Sequence, residues 1–251
     1  MILYEYPFNE RTRTYLRLEH LFGRLGQLMP RDAPVDHHFA LLTLFEVMEA
    51  TSRADLKSDV LKDLERQKAH FSAFRGNPAI SEASLDAVLA RLDTCFAELN
   101  AQHSKPGHDL LENEWLMGLR SRAVMPGGTC GFDLPAYHAW QHEQAAVRRA
   151  DLQRWTASFV PMAQAVAVLL HLLRDAGKAQ KVMASSGYFQ QTLSSGRAFQ
   201  LLRMRIDGSL GLVPEISGNR LMVAVRLTRL GDDGKLHTAR EDAAFELTLC
   251  A

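Results

Sequence analysis

The stretch VPMAQAVAVLLHLLRDAG, residues 160–177, separates two kinds of sequence pattern. Before it, apolar residues recur at three- and four-residue spacing, which is typical of amphipathic helices. After Gly177, short runs of alternating apolar and polar residues lie between glycine and serine clusters, which indicates antiparallel strands. The stretch itself belongs to the most apolar helix of the chain. We therefore predict an α+β protein in which an α-helical part precedes an antiparallel β part.

The helical part is predicted to begin near residue 9 and to end with a long helix over about 145–174. Asn9 can cap the first helix, and Glu10 then lies in its first turn, where the helix dipole favours a carboxylate. Pro161 should kink or divide the last helix, because proline removes a backbone donor. Cys95 lies beside the apolar face of a helix over 81–98, and we interpret it as a small core residue.

The β part contains three strands that alternation locates, near residues 200–206, 220–227 and 245–249. In the middle strand two sets of side chains are predicted on opposite faces: Leu221, Val223, Val225 and Leu227 on one, and Arg220, Met222, Ala224 and Arg226 on the other. Residues 2–6 form a short strand without a local partner, which we expect to join this sheet. The predicted division is thus a strand over 1–7, a helical domain over 8–176 and a β domain over 177–251.

The composition limits the classes of function. The 251 residues include 29 Lys and Arg and 29 Asp and Glu, so no overall charge attracts nucleic acid. The three cysteines lie far apart and lack the spacing of a zinc site, which favours a reducing compartment. The start of the chain does not resemble a signal peptide, and Pro161, Gln164 and His171 interrupt the most apolar run. We expect a cytoplasmic protein with no membrane span, no nucleic-acid partner and no cofactor.

Local charge is more informative. Residues 197–229 contain two acidic residues and no lysine, giving a net charge of +4 with the six arginines at 197, 203, 205, 220, 226 and 229. Arg203, Arg205, Arg220 and Arg226 are predicted on outer strand faces, where forked guanidinium donors suit a carboxylate ligand. The first helix carries a second basic stripe, formed by Arg13, Arg17, His20 and Arg24. Ordinary solvated surfaces remain the alternative for both sets.

The block MPGGTCGFDLPAYHAW, residues 125–140, admits a catalytic interpretation. Cys130 follows a glycine-rich turn whose amides could stabilise an oxyanion, and His138 lies eight residues later, so a cysteine hydrolase is the alternative function. However, catalytic Cys and His residues are usually distant in sequence. His138 and His142 lack the carboxylate of a metalloprotease helix, and we predict no metal site. We favour a turn between helices, with Cys130 as a buried packing residue.

Three blocks together resemble the ZapD family of FtsZ-associated bacterial cell division proteins. They are EYPFNERTRTYLRLE near the N-terminus, the central MPGGTCGFDLPAYHAW, and PEISGNR followed by the strand LMVAVRL. The resemblance spans nearly the whole chain in the expected order. It implies an α-helical domain with a β-sandwich domain, a symmetric homodimer without enzymatic activity, and binding to the C-terminal tail of FtsZ at the mid-cell division ring.

The resemblance also implies which residues bind the acidic and apolar tail. By motif position they are Arg13 and Arg17 on the first helix, His138 in the central block and Arg226 on the strand, and Arg220 lies where the family also tends to be basic. Two residues depart from the family pattern. Met222 replaces a second strand arginine, and Glu114 replaces a basic residue before the central block. A dimer with two tail sites could crosslink and bundle FtsZ filaments.

Overall fold

The computed structural model describes residues 1–193, 196 and 198–251. Its α-helices are α1 (Glu10–Leu28), α2 (Pro34–Thr51), α3 (Leu56–Ser72), α4 (Glu82–Ala101), α5 (Glu114–Ala123), α6 (Pro135–Gln141), α7 (Ala145–Thr156) and α8 (Val160–Asp175). Its strands are β1 (Ile2–Pro7), β2 (Ala179–Ala184), β3 (Tyr188–Thr192), β4 (Leu201–Ile206), β5 (Val213–Gly218), β6 (Met222–Leu230), β7 (Leu236–Thr238) and β8 (Ala243–Cys250). The predicted α+β class is confirmed.

The chain forms two compact units. One, the helical unit, comprises residues 16–169; the other, the sandwich unit, comprises residues 1–15 and 170–251. The two termini of the chain therefore belong to the same unit.

The core of the helical unit is aromatic. Trp115 stacks on Trp155 with ring centroids 5.3 Å apart, and Trp140 lies 5.7 Å from Trp115 and 6.0 Å from Tyr137. Leucines of α2 and α5 complete this cluster. Because large aromatic rings bury much apolar surface, the cluster fixes α5, α6 and α7 to one another.

The sandwich unit contains two antiparallel sheets, in the orders β1-β4-β8-β2 and β3-β6-β5, and β7 extends the second sheet by pairing with β6. Met204 and Phe245 of the first sheet share one core with Val223, Val225 and Leu227 of the second. Phe189 of β3 meets Phe245 of β8 edge to face at 5.4 Å. The β-sandwich implied by the resemblance is therefore present.

The N-terminal strand joins the sheet, as predicted. β1 pairs antiparallel with β4, so that Glu5 lies opposite Arg203. The Glu5 carboxylate accepts hydrogen bonds from Arg203 Nε at 3.0 Å and from both Nε and Nη2 of Arg174 on α8, at 2.8 and 2.7 Å. Arg203 is half-buried by these contacts. Arg203 therefore lies on the outer face of its strand, as predicted, but its guanidinium is bound to Glu5 and is not available to a ligand.

Several local predictions for the helices are confirmed. Asn9 Oδ1 accepts a hydrogen bond from the Thr12 amide at 2.8 Å, as expected of a helix cap. A 3-10 turn over Ala157–Phe159 separates α7 from α8, and Pro161 lies in the first turn of α8. Cys95 is buried on α4.

The helical run Ala145–Asp175 is the one segment, within the described residues, that is long and apolar enough to cross a membrane. It has 31 residues, and 44% of its most apolar window is buried inside the protein. The core helix of a globular protein meets the same criteria, so this run is a weak indication of a span.

Candidate functional site

Arg13 and Arg17 lie on α1 but differ in their surroundings. Arg13, in the sandwich unit, is half-buried, and its Nε lies 3.0 Å from Glu10 Oε1. Arg17, in the helical unit, is exposed, and within the described residues it has no hydrogen bond or ion pair. Arg17 is therefore the freer of the two cations for an acidic partner.

The other two residues of the basic stripe on α1, His20 and Arg24, also differ in their surroundings. Arg24 Nη2 binds Glu46 Oε1 on α2 at 2.5 Å, whereas His20 is exposed. A stripe that looks uniformly basic in the sequence is thus half neutralised by acidic side chains.

Arg226 lies on the outer face of the second sheet. In the strand register it stands between Tyr188 of β3 and Glu215 of β5, and all three residues are exposed. No ion pair of Arg226 occurs among the described residues, so its guanidinium faces solvent. The half-buried Met222 lies on the same face, at the start of β6.

Arg220 lies in the turn between β5 and β6. The Asn219 side chain shapes this turn, because its Oδ1 accepts hydrogen bonds from the amides of Leu221 at 2.8 Å and Met222 at 3.1 Å. Arg220 is exposed at the tip of the turn. Leu221, predicted to be on the apolar face, is 67% exposed, because the turn continues to it and β6 begins only at Met222.

Fewer of the arginines between residues 197 and 229 are available to a ligand than their number indicates. Arg203 is bound to Glu5, and Arg229 is bound to Glu241 at 2.6 Å and to the backbone oxygen of Leu210 at 2.7 Å. Arg205 is exposed and lies in register between Leu3 and Glu246. Arg197 lies outside the described residues. These pairings involve residues distant in sequence, which the local pattern could not reveal.

His138 is held outward by two buried neighbours. On α6, Tyr137 is buried with its hydroxyl 2.7 Å from His38 Nδ1, and Trp140 Nε1 donates to Asp151 Oδ2 at 2.9 Å. His138, which lies between these anchors, is exposed. Its ring packs against Gly131, where an added Cβ would lie 3.0 Å from the imidazole. The position of this candidate residue is thus set by the core and by the turn before α6.

A buried arginine secures the end of α6. Arg148 on α7 is 4% exposed, and its guanidinium donates to the backbone oxygens of Gln141, Glu143 and Asp32. Its Nε donates to Nδ1 of His37 at 2.9 Å. Burial, with the positive charge of Arg148 as a further cause, lowers the pKa of His37. No local sequence pattern indicates this arrangement, since Arg148 and His37 are 111 positions apart.

The backbone amides of the central block serve its turns. The Gly128 amide donates to Met125 O at 3.0 Å and the Cys130 amide to Gly127 O at 3.2 Å, so both serve consecutive turns. No hydrogen bond joins Cys130 to His138 in the described part of the chain. Cys130 is exposed, and the prediction that it packs in the core was wrong, because the turns carry it at the surface. The turn between α5 and α6 is as predicted.

Glu114 has a local explanation. It is the first residue of α5, directly after the cap Asn113, whose Oδ1 accepts from the Leu116 amide at 3.0 Å. A carboxylate in the first turn interacts favourably with the helix dipole. An acidic residue at this position therefore stabilises the helix in place of the basic side chain that the family pattern implies.

The candidate residues fall into two sets. The sandwich unit holds Arg13, Arg220 and Arg226, and the helical unit holds Arg17 and His138. In the sandwich unit, the ring of Phe8 lies 2.6 Å from where a Cβ of Gly218 would be. The segment before α1 therefore contacts the end of β5, which precedes Arg220 in the chain. No hydrogen bond joins Arg17 to His138 among the described residues. The same residues contain no group of three or more His, Cys, Asp or Glu that could hold a metal ion.

Comparison with known proteins identifies relatives over the whole chain. The profile of the family described as ZapD, cell division protein, matches residues 16–226. The chain is 51% identical to the cell division protein ZapD of Ralstonia pickettii, and 50% identical to that of Ralstonia nicotianae, over all of this chain and 99% of each relative. It is 47% identical to the cell division protein ZapD of a Janthinobacterium species, over the full length of both. These names refer to cell division and to no catalysed reaction. The chain belongs to the ZapD family of cell division proteins.

Proposed function

We propose that this protein binds the C-terminal tail of FtsZ through Arg13, Arg17, His138, Arg220 and Arg226. As a homodimer, it crosslinks and bundles FtsZ filaments, and so stabilises the division ring at mid-cell in the cytoplasm. Membership of the ZapD family supports a role in cell division. Binding of the FtsZ tail, formation of a homodimer and bundling of filaments are what we propose beyond that membership.

The observation that carries the proposal is the exposure of unneutralised arginines. Arg17, Arg220 and Arg226 are exposed and, among the described residues, lack an acidic partner. Most other arginines of the described chain bind carboxylates, as Arg75 does with Glu82 and Asp86. A guanidinium without a partner can offer its forked donors to the carboxylates of an acidic tail.

Weak contacts suffice for this function. An exposed ion pair contributes only about 0–1 kcal/mol, so a single tail need not be held tightly. A twofold dimer carries two identical sites, and filaments display many tails, so the second contact forms at high effective concentration. Bundling therefore depends on the repetition of a modest interaction.

The test is a pull-down with full-length FtsZ and with FtsZ that lacks its C-terminal tail. We expect binding to full-length FtsZ and its loss without the tail. The matched variants are Arg17→Ala, which should weaken binding, and Arg75→Ala, an exposed arginine that is already paired and should have no effect. Binding that survives removal of the tail would overturn the proposed site.

A further inference from the structure

The sandwich unit contains a cavity beside the edge strands of its two sheets. It measures about 420 Å³ and is lined by residues in or next to β2, β3, β4 and β8. Its floor is apolar, since Leu193 is buried and Phe199 and Leu249 pack half-buried against the sandwich core. A cavity of this volume with an apolar floor is typical of a site for a small molecule.

Two glutamines occupy inner positions of the sandwich and line this cavity, Gln180 on β2 and Gln191 on β3. Gln180 lies opposite Leu247 and Gln191 opposite Val223, and both of these partners are fully buried in the sandwich core. Residues opposite each other in antiparallel strands project from the same face, so both glutamines project inward. Polar residues at inner positions depart from the pattern of a sandwich, and such departures are expected at functional sites.

The charged groups around the cavity favour an anion. Lys178 lines it, and the described residues of the lining include no Asp or Glu. In the described part of the chain, the side chains of Lys178, Gln180 and Gln191 form no hydrogen bond or ion pair with another residue. An ammonium group and two amide groups can together donate hydrogen bonds to one carboxylate. The surrounding sequence has the same bias, since residues 176–206 contain no Asp or Glu but five Lys and Arg, at 178, 181, 197, 203 and 205.

Backbone contacts hold the walls of the cavity in place. Gly177 lies so close to β8 that an added Cβ would be 3.0 Å from the backbone oxygen of Leu249, which fixes the chain next to Lys178. The Leu193 amide donates to the backbone oxygen of Leu221 at 2.7 Å, which fixes the floor. A ligand that enters such a preformed site causes little loss of conformational freedom in the protein.

We propose that this cavity, the sandwich cavity, binds a small aliphatic carboxylate. The carboxylate accepts hydrogen bonds from Lys178, Gln180 and Gln191, and the aliphatic chain covers the apolar floor. A ligand with only one of these two ends would leave either the polar groups or the apolar floor uncovered. None of the residues proposed to bind FtsZ lines the sandwich cavity, so this is a second binding function that stands or fails independently of the first.

The test measures binding of octanoate to the full-length protein by isothermal titration calorimetry. We expect one octanoate per chain and a loss of affinity of about tenfold in Lys178→Met, which removes the charge and keeps the length of the side chain. Lys181→Met is the matched control and should leave the affinity unchanged, because Lys181 lies on the same strand opposite Glu246, on the outer face. Octanol, which has the same chain without the charge, should bind more weakly than octanoate to the unchanged protein and should not distinguish it from Lys178→Met.

Three results would overturn the inference. The first is the absence of saturable octanoate binding to the unchanged protein. The second is an equal loss of affinity in the two lysine variants, because the carboxylate would then lie outside the sandwich cavity. The third is equal binding of octanol and octanoate, which would show that the carboxylate is not recognised.

A second variant keeps the test decisive if Lys178→Met does not fold. Gln191→Leu restores an apolar residue at an inner position, so thermal unfolding should show no loss of stability. Because the variant removes an amide donor, octanoate should bind it more weakly than it binds the unchanged protein. Unchanged octanoate affinity in a folded Gln191→Leu variant would contradict the proposed contact.

Discussion

Arg148 donates a hydrogen bond from Nε to Nδ1 of His37 at 2.9 Å, with both side chains buried in the helical unit. Because a guanidinium can only donate, His37 must be neutral at Nδ1 to accept this bond. Protonation of His37 would replace the bond by the repulsion of two buried cations. The packing of α2 against α7 is therefore coupled to the charge of one imidazole.

We expect the helical unit to lose stability in mild acid. Burial first, and then Arg148, lower the pKa of His37 below its usual 6.5, so the unfolded chain binds this proton more readily. The free energy of unfolding is then greatest above pH 6.5 and falls as the pH drops toward the folded-state pKa. Urea unfolding at pH about 7.5 and about 5.5 measures the difference.

The matched control for this prediction is His37→Gln, whose amide oxygen can still accept from Arg148. Its stability should depend less on pH than that of the unchanged protein. Some dependence should remain, because burial also lowers the pKa of His38. Equal pH dependence in the two proteins would show that His37 is not the titrating group.

Arg17 should matter more than Arg13 for binding the FtsZ tail. Arg17→Ala removes an unpaired cation and should lower affinity by about 0.5–1 kcal/mol, whereas Arg13 already binds Glu10. Glu10→Gln frees Arg13 and removes a nearby negative charge, so it should raise affinity. Anisotropy with the tail peptide measures all three. A larger loss in Arg13→Ala than in Arg17→Ala would contradict the ranking.

Bundling of FtsZ filaments should weaken as salt rises. The proposed contacts are exposed ion pairs, and the screening length is about 8 Å at physiological ionic strength and shorter above it. Sedimentation of FtsZ with this protein across a salt series measures the effect. Sedimentation of FtsZ alone in the same series separates bundling from polymerisation. A constant amount of pelleted bundle would refute an electrostatic contact.

Glu5→Gln should destabilise the sandwich unit by about 1–3 kcal/mol, because it leaves Arg174 and Arg203 beside each other without their shared carboxylate. The loss is smaller than for a fully buried ion pair, since the Glu5 side chain is 17% exposed. Chemical denaturation monitored in the near ultraviolet measures it. Glu246→Gln, on the same sheet face next to Arg205, is the control and should change stability less.

Gly128→Ala should disturb the turn before α6, because its Cβ would collide with the Arg122 backbone oxygen. We expect a loss of about 1–3 kcal/mol in the free energy of unfolding. Gly118→Ala is the matched control, since Gly118 lies inside α5 with open space around it. That change should be neutral or stabilise the protein by up to about 1 kcal/mol. If Gly118→Ala lowered the midpoint of thermal unfolding more than Gly128→Ala did, the proposed clash would be contradicted.

Local sequence patterns predicted the elements that local interactions specify. The Asn9 cap, the division of the long helix at Pro161 and the change to strands after Gly177 depend on neighbouring residues, and all three are confirmed. The strands β2 and β3 were not located individually. β2 is mostly exposed and carries Gln and Lys, and β3 is an edge strand with two glutamines, so neither shows a clear apolar alternation.

Pairings between distant residues could not be predicted. Alternation predicts Arg203 as a free outer arginine, whereas the pairing of β1 with β4 places Glu5 beside it. The exposed position of Cys130 depends on three consecutive turns. The exposure of Phe132 has the same origin, since a phenylalanine in an apolar-looking block is ordinarily assigned to the core. The resemblance to family motifs identifies the candidate residues. Whether each one is accessible depends on which neighbouring carboxylates bind it, and this requires the structure.

The pairing of β1 with β4 also sets an order of events during synthesis. Glu5 and Arg203 are 198 residues apart, so β1 leaves the ribosome long before its partner strand exists. Residues 16–169 form their own compact unit and can fold before β4 is made, so β1 remains unpaired until the sandwich unit is complete.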